Sequence, residues 1–284
     1  MLIYLDSRDL ISLIEKRATT ETDAFERGLL KKSARLVFSM HNIFECCPPL
    51  LQQHIQTNVM KTLNRLEKMP HLYIAETKIK ALELKEGTDA FLNERDYRAI
   101  NPFVPRFDYV ISPFRKPATS HYLNYSLSEI IFDLWRESPD VFEGYQNYSK
   151  RLNDKMILDR KRKDYKKHKE NFPYSIYEYL LLFNIPFPKE KINKFTEWLW
   201  DDTNLCPSFR LMYEVYHRLL RNLKDQFKST DIPDLAHVCC VPYIDAATLD
   251  NRIRGYIEQV DFNIGTRYLK RVYRNIDELN VLLN

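Results

Sequence analysis

Glycine is scarce in this chain, with five residues in 284 against a usage of roughly 7% in ordinary domains. Phosphate-cradling loops need closely spaced glycines, and neither G-x-x-x-x-G-K-S/T nor G-x-G-x-x-G occurs. Nucleoside triphosphates and dinucleotides are therefore not expected as cofactors. Cysteine is sparse too: Cys46-Cys47 and Cys239-Cys240 are vicinal and Cys206 stands alone. An odd count without C-x-x-C spacing predicts neither a disulfide framework nor a zinc knuckle. It fits small buried thiols in a reducing cytoplasm. No run approaches the roughly 20 apolar residues that span a bilayer. The opening Met1-Leu2-Ile3-Tyr4-Leu5-Asp6 lacks the basic and apolar regions of a signal peptide, so a cytoplasmic chain without a membrane partner is expected. Serine, cysteine and histidine do not recur in a triad-like arrangement, which removes support for nucleophilic catalysis.

What is present is enough to build a large core, with 44% hydrophobic and 29% charged residues at a net charge of only +4. Both chain ends have α/β character. Leu2 to Leu5 and Leu36-Val37-Phe38 read as short strands, with helical spacing over Asp9 to Lys16 and Asp23 to Ala34. Near the other end, Asp231 to Cys240 reads as a helix, Ala246 to Leu249 as a buried strand, and Asn251 to Val260 as a further helix. Between them the chain is proline-punctuated and mostly helical, with Leu72 to Ala75 as a candidate strand. The expected organisation is an α/β core from residues 1–47 and 206–284, with a helical insertion over 48–205. Its ends must lie close together, and long insertions between neighbouring points cost little extra closure entropy.

Four carboxylates stand where these buried strands stop or helices begin: Asp6, Glu45, Asp234 and Asp250. Strand ends in a parallel α/β sheet converge on one crevice, so acids distant in sequence can share a site there. Carboxylates without matching bases repel one another unless a divalent cation offsets the charge. Oxygen-only donors suit Mg²⁺ or Mn²⁺, and the absence of clustered His and Cys argues against zinc. Asp231 serves better as a helix cap, with a subsidiary place beside the site, and His237 lies one turn beyond Asp234. Asp245 is set aside, because an extended 245–250 segment holds it about 17 Å from Asp250.

These segments resemble the PIN-domain ribonucleases. The resemblance rests on Ile3-Tyr4-Leu5-Asp6-Ser7, on Ser39 to Glu45, on Asp231-Ile232-Pro233-Asp234-Leu235-Ala236-His237, and on Pro242 to Asp250. It covers about the first 50 and the last 60 residues. It implies a three-layer core with a central parallel sheet and an endoribonuclease leaving 5′-phosphate and 3′-hydroxyl ends. Asp6, Asp234 and Asp250 would hold metal in a two-metal type of hydrolysis, with Glu45 completing the catalytic set. Ser7 matches the small hydroxyl residue that follows the first acid. Arg8 departs from the family, which carries Asn there. The resemblance leaves a protein inhibitor and a second copy of the chain open as partners.

The strongest charge feature is residues 150–169, with ten Lys or Arg against three Asp. Its core, Arg160, Lys161, Arg162, Lys163, Lys166 and Lys167, is the candidate for holding an RNA backbone, with Tyr165 and His168 interleaved to stack on bases. The helix opened by Ser138-Pro139-Asp140 is expected to run on to Lys169. RNA is the expected target. A catalytically silent scaffold for RNA or protein and a DNA-directed nuclease in defence are the alternatives.

Overall fold

The computed structural model describes residues 1–15, 20–46, 53–111, 124–137, 140–162, 167–225, 231–260 and 267–283. Lys163, Tyr165, Lys166, Ser138 and Pro139 lie outside them. Among the described residues no helix is long and apolar enough to cross a membrane.

One mixed sheet organises the chain. Its strands are β1 Leu2–Tyr4, β2 Arg35–Phe38, β3 His71–Ile74, β4 Phe103–Val104, β5 Ala246–Thr248 and β6 Val272–Tyr273. Their spatial order is β4-β3-β2-β1-β5-β6. β4 runs antiparallel to β3, and the other neighbours are parallel. Register places Ile3 opposite Leu36 on one side and Ala246 on the other. The helices are α1 Ser7–Glu15, α2 Thr20–Lys31, α3 Met40–Glu45, α4 Gln53–Lys68, α5 Glu76–Leu92, α6 Phe107–Ile111 and α7 Leu127–Glu137. They continue with α8 Asp140–Lys161, α9 His168–Leu182, α10 Ile192–Asp201, α11 Pro207–Arg221, α12 Asp231–Cys240, α13 Asn251–Glu258 and α14 Ile276–Leu283.

Successive strand side chains point to opposite faces, and both faces of this sheet are covered. Ile3, Leu36, Phe38, Tyr73 and Ala246 join one apolar cluster with residues of α1, α2, α4, α7 and α14. The alternate residues Tyr4, Val37, Ile74 and Ala247 join another with Ile79 of α5 and Cys240 of α12. The strands therefore read as unbroken apolar runs, because neither face meets water. Full burial of Ile3, Leu36 and Val37 contributes on the order of 1.5–3 kcal/mol each.

Two expectations need correction. β3 and β4 fall inside the 48–205 segment yet are strands of the central sheet. α4 and α7 pack on it as well, so the helical addition is narrower than 48–205 and consists of α8 to α10. The prolines of 48–120 hide β4, whereas β3 lies at the candidate strand Leu72 to Ala75, whose place in the central sheet its sequence does not show. The second correction concerns the basic segment: α8 ends at Lys161, and a separate helix opens at His168.

α5 and α11 join the helical addition to the core. Leu84 of α5 packs with Phe172, Ile176, Phe195, Leu199 and Phe209. At Gly87 a Cβ would stand 3.2 Å from the Sγ of Cys206, just ahead of α11, so a side chain there would make this contact give by a few tenths of an ångström. Glu83, fully buried, caps α11 from outside. Ser208 N–H donates to its Oε1 at 2.8 Å, Phe209 N–H to its Oε2 at 2.9 Å, and Tyr243 O–H to its Oε1 at 2.5 Å. Two of the helix's orphan N–H donors are satisfied by this remote carboxylate.

Candidate active site

The strand order reverses at β1: the chain builds outward through β2, β3 and β4 on one side, and returns to place β5 and β6 on the other. The crevice beyond the carboxyl ends of strands at such a switch point is where open α/β sheets bind ligands. Asp6 follows β1 and Asp250 follows β5, so two predicted acids flank this crevice on neighbouring strands. Each also caps the helix that comes next. Asp6 Oδ1 accepts from Arg8 N–H at 2.9 Å, and Asp250 Oδ1 accepts from Arg252 N–H at 2.7 Å. Cap and site acid are thus compatible roles, since only one carboxylate oxygen enters each cap. A cross-strand bond from Asp6 N–H to Thr248 Oγ1 at 2.9 Å fixes the β1 end against β5.

Glu45 reaches the crevice from the last turn of α3. The start of that helix is locked by a capping box in which Asn42 N–H donates to Ser39 Oγ at 3.1 Å, and Ser39 N–H donates to Asn42 Oδ1 at 3.2 Å. The Asn42 amide also donates to Leu5 O at 3.0 Å and to Ser7 Oγ at 3.2 Å. α3 is therefore tied to the turn that carries Asp6, and Ser7 acts in that tie. His237 of α12 sits 3.5 Å from Glu45 Oε2 through Nε2, and its Nδ1 lies 2.5 Å from Tyr4 Oη, which also bonds Ser39 Oγ at 2.8 Å. The chain Ser39–Tyr4–His237–Glu45 runs from the sheet interior to the crevice.

Charge shows that the acids share one field. Burial pushes the Asp234 carboxyl up to about 7; His237 opposes the shift, while Asp6, Asp250 and Glu45 reinforce it. His237 is raised despite its burial, because Glu45, Asp6 and Asp234 all favour the imidazolium. Burial would raise Glu45 as well, yet His237, with Ser7 and His41, brings it below the usual carboxylate range. The structure thus brings Asp6, Glu45, Asp234, Asp250 and His237 into one neighbourhood. Among the described residues, no three His, Cys, Asp or Glu side chains are grouped as a metal-ligand set.

Three residues of this neighbourhood escaped the sequence reading. Asp9, in the first turn of α1, is buried beside Asp6 and Thr248. Burial raises its carboxyl, with Thr248 and Arg8 opposing and Asp6 adding. Asn42 and Thr248 are fully buried and position the backbone rather than offering charge. Ser39-x-x-Asn42 was the signal for the first, as a capping pattern just after a strand. Arg8, the departure from the family pattern, spans the cluster at 3.6 Å from Asp9 and 3.9 Å from Asp250.

Other expected residues fall elsewhere. Asp231 is buried against Arg252, which also bonds Asp225 at 2.6 Å; its carboxylate steadies α12 on α13 instead of facing the crevice. Asp245 accepts from Leu2 N–H at 2.7 Å, at the opposite end of β5 from Asp250. Arg160 is not available to RNA: its guanidinium donates to the carbonyls of Leu219, Asn222 and Asp225 at 2.7–3.2 Å, closing the C-terminal end of α11. His168 stacks on Tyr213 with ring centroids 5.4 Å apart and faces Glu214 at 3.3 Å, so it packs inside the helical layer rather than on bases. Lys161, Arg162 and Lys167 are exposed. No protein-family model, curated protein or solved structure matches the chain.

Proposed function

We propose that this chain is a metal-dependent endoribonuclease of PIN-like architecture, hydrolysing RNA phosphodiester bonds at the β1/β5 crevice. The observation that carries the reading is the gathering of Asp6, Asp250 and Glu45 around Asp234, whose carboxyl is raised to about 7 by burial, reinforced by these acids. A site of this kind destabilises its own ionised form until a cation enters. The donor set fits Mg²⁺ or Mn²⁺, because carboxylate oxygens predominate in it. A three-layer core with a largely parallel sheet supports the same architecture.

Asp6, Asp234 and Asp250 would hold the cation, with Asp9 beside them. When bound, such an ion polarises the phosphoryl oxygens and makes water a stronger nucleophile at neutral pH. Glu45, kept ionised by His237, would orient a water at the crevice and accept its proton. Tyr4, itself bonded to Ser39, holds Nδ1 of the His237 ring and so orients Nε2 toward Glu45.

One observation favours a silent scaffold instead, namely the Arg8 guanidinium 3.9 Å from Asp250, which gives the cluster a counter-charge of its own. Cleavage of labelled single-stranded RNA, single-stranded DNA and duplex DNA with Mn²⁺ separates the readings. Active protein should cut RNA, and Asp6→Asn or Asp250→Asn should lower that rate at least about a hundredfold, since even outer contacts of a metal site are worth 10–100-fold. Asn caps helices as well as Asp does, so both variants should melt near the parent temperature. Wild-type rates in either variant, or preferential cutting of DNA, would overturn the assignment.

A further inference from the structure

A cavity of about 1000 Å³ lies between the core and the helical addition, walled by α3, α5, α8, α9, α11 and α12. It adjoins the crevice directly. Phe44 of α3 and Leu235 of α12 line it, and they are the sequence neighbours of Glu45 and Asp234. His41 lines it as well, with its ring 6.1 Å from that of His237. Three buried polar atoms on its wall have no hydrogen-bond partner among the described residues: Glu76 Oε2, Thr77 Oγ1 and His217 Nδ1. Glu76 and His217 are themselves only 2% and 4% exposed. Leaving such groups unpaired costs on the order of 1–3 kcal/mol each. Three of them on one wall mark a surface shaped for a polar ligand.

The remaining wall identifies the ligand's chemistry. Tyr213 and Tyr216 supply aromatic surface inside, and Tyr174, 64% exposed, stands at the rim on α9. The acids Asp159 and Glu178 are held by Tyr216 at 2.6 Å and Lys155 at 3.4 Å, whereas Arg151 and Arg162 line the α8 side as exposed cations. His217 is neutral at working pH, pushed down to about 3 by burial and then by neighbouring His168, so it can give or take a hydrogen bond. Planar stacking surface, scattered hydrogen-bonding atoms and a cationic rim are what an unstacked nucleotide requires. The volume is at the upper end for a small-ligand site and accommodates a base with its sugar.

We propose that this cavity receives one nucleotide of the substrate strand, its base against Glu76, Thr77 and His217 and its phosphates against Arg151 and Arg162, so that the enzyme acts on single-stranded nucleic acid. This rests on the nuclease reading, which names the strand. It also gives Arg162, alone among the described residues of the 160–167 basic run, a place on a ligand.

The test is fluorescence anisotropy with the full chain carrying Asp6→Asn, in Mg²⁺, using a labelled ten-nucleotide single-stranded RNA, the matching hairpin duplex, and free AMP as competitor. The single strand should bind at least tenfold tighter than the duplex, and the added pair Thr77→Val and His217→Phe should raise its Kd at least tenfold without lowering the melting temperature. Should the pair fail to fold, the near-isosteric Thr77→Val alone should raise Kd about threefold. Equal binding of strand and duplex, an unchanged Kd in the folded variants, or AMP competing at the strand's own concentration would overturn it, the last result marking an effector site. Parallel cleavage assays on the parent protein keep the two ideas apart. Intact cleavage with no pocket effect sinks the pocket alone, and a pocket effect with no cleavage of RNA or DNA sinks the nuclease alone.

Discussion

Glu83 and Asp234 carry carboxyls held at the same value, about 7, by opposite surroundings. At Glu83 burial pushes upward, and Tyr243, Ser208 and Phe209 oppose it with donors. At Asp234 burial is joined by Asp6, Asp250 and Glu45, with His237 opposing them. The first carboxyl sits among groups that complete it, and its role is to start α11. The second sits among groups that repel it. A perturbed pKa alone therefore does not identify a site; the sign of the neighbours does.

That contrast can be broken most forcefully at Glu83. Glu83→Ala strands two helix N–H groups and the Tyr243 hydroxyl in a buried space and should cost about 3 kcal/mol or more in urea unfolding. Glu83→Gln should cost about half as much, since its amide nitrogen cannot accept from Phe209 N–H. RNA cleavage at a temperature where both variants are folded should persist. If Glu83→Ala unfolds at the parent's urea midpoint, the capping role is wrong.

At Asp234 the same kind of change should act through pH. The folded value lies above the ordinary 3.8, so the folded state retains the proton, and this stabilisation is complete below pH 4 and lost as pH rises through about 7. Asp234→Asn removes that loss. Without divalent cations, the variant's melting temperature should fall less steeply than the parent's between pH 4 and 7. The Glu83 contribution is common to both proteins and cancels in the comparison. Added Mn²⁺ should flatten the parent's curve and leave the variant's nearly unchanged. Parallel curves in metal-free buffer would show that the acids do not share a field.

The smallest effect is expected at Arg8, whose side chain is 54% exposed. Exposed ion pairs contribute about 0.2–1 kcal/mol, so Arg8→Ala should tighten Mn²⁺ binding about threefold, measured by calorimetry. Weaker binding would mean that Arg8 supports the site rather than competing with the cation.

The strand-end acids were legible because a buried parallel strand is an uninterrupted apolar run, and Leu2 to Leu5 and Ala246 to Leu249 stop abruptly at carboxylates. Asp9 was not, since an acid in the first turn of a helix has an ordinary explanation in the helix dipole. Arg160 was misread for a related reason. A lysine- and arginine-rich stretch shows its charge in sequence, but not that one guanidinium folds back onto the carbonyls of Leu219, Asn222 and Asp225. β3 is a four-residue strand whose membership in the sheet depends on pairing with β2, 33 or more residues away in sequence. Pattern within a window carries no information about such a partner.

α5 carries Glu76 at one end and Glu83 seven residues on, two turns or about 10 Å along a rigid rod. The first, paired with His41, faces the cavity beside the crevice, and the second anchors the helical addition through α11. His41 belongs to α3, the helix that carries Glu45, so α5 ties the cavity wall to one side of the crevice. A strand seated by one base would then be cut a constant number of nucleotides away, and α5 would act as a ruler.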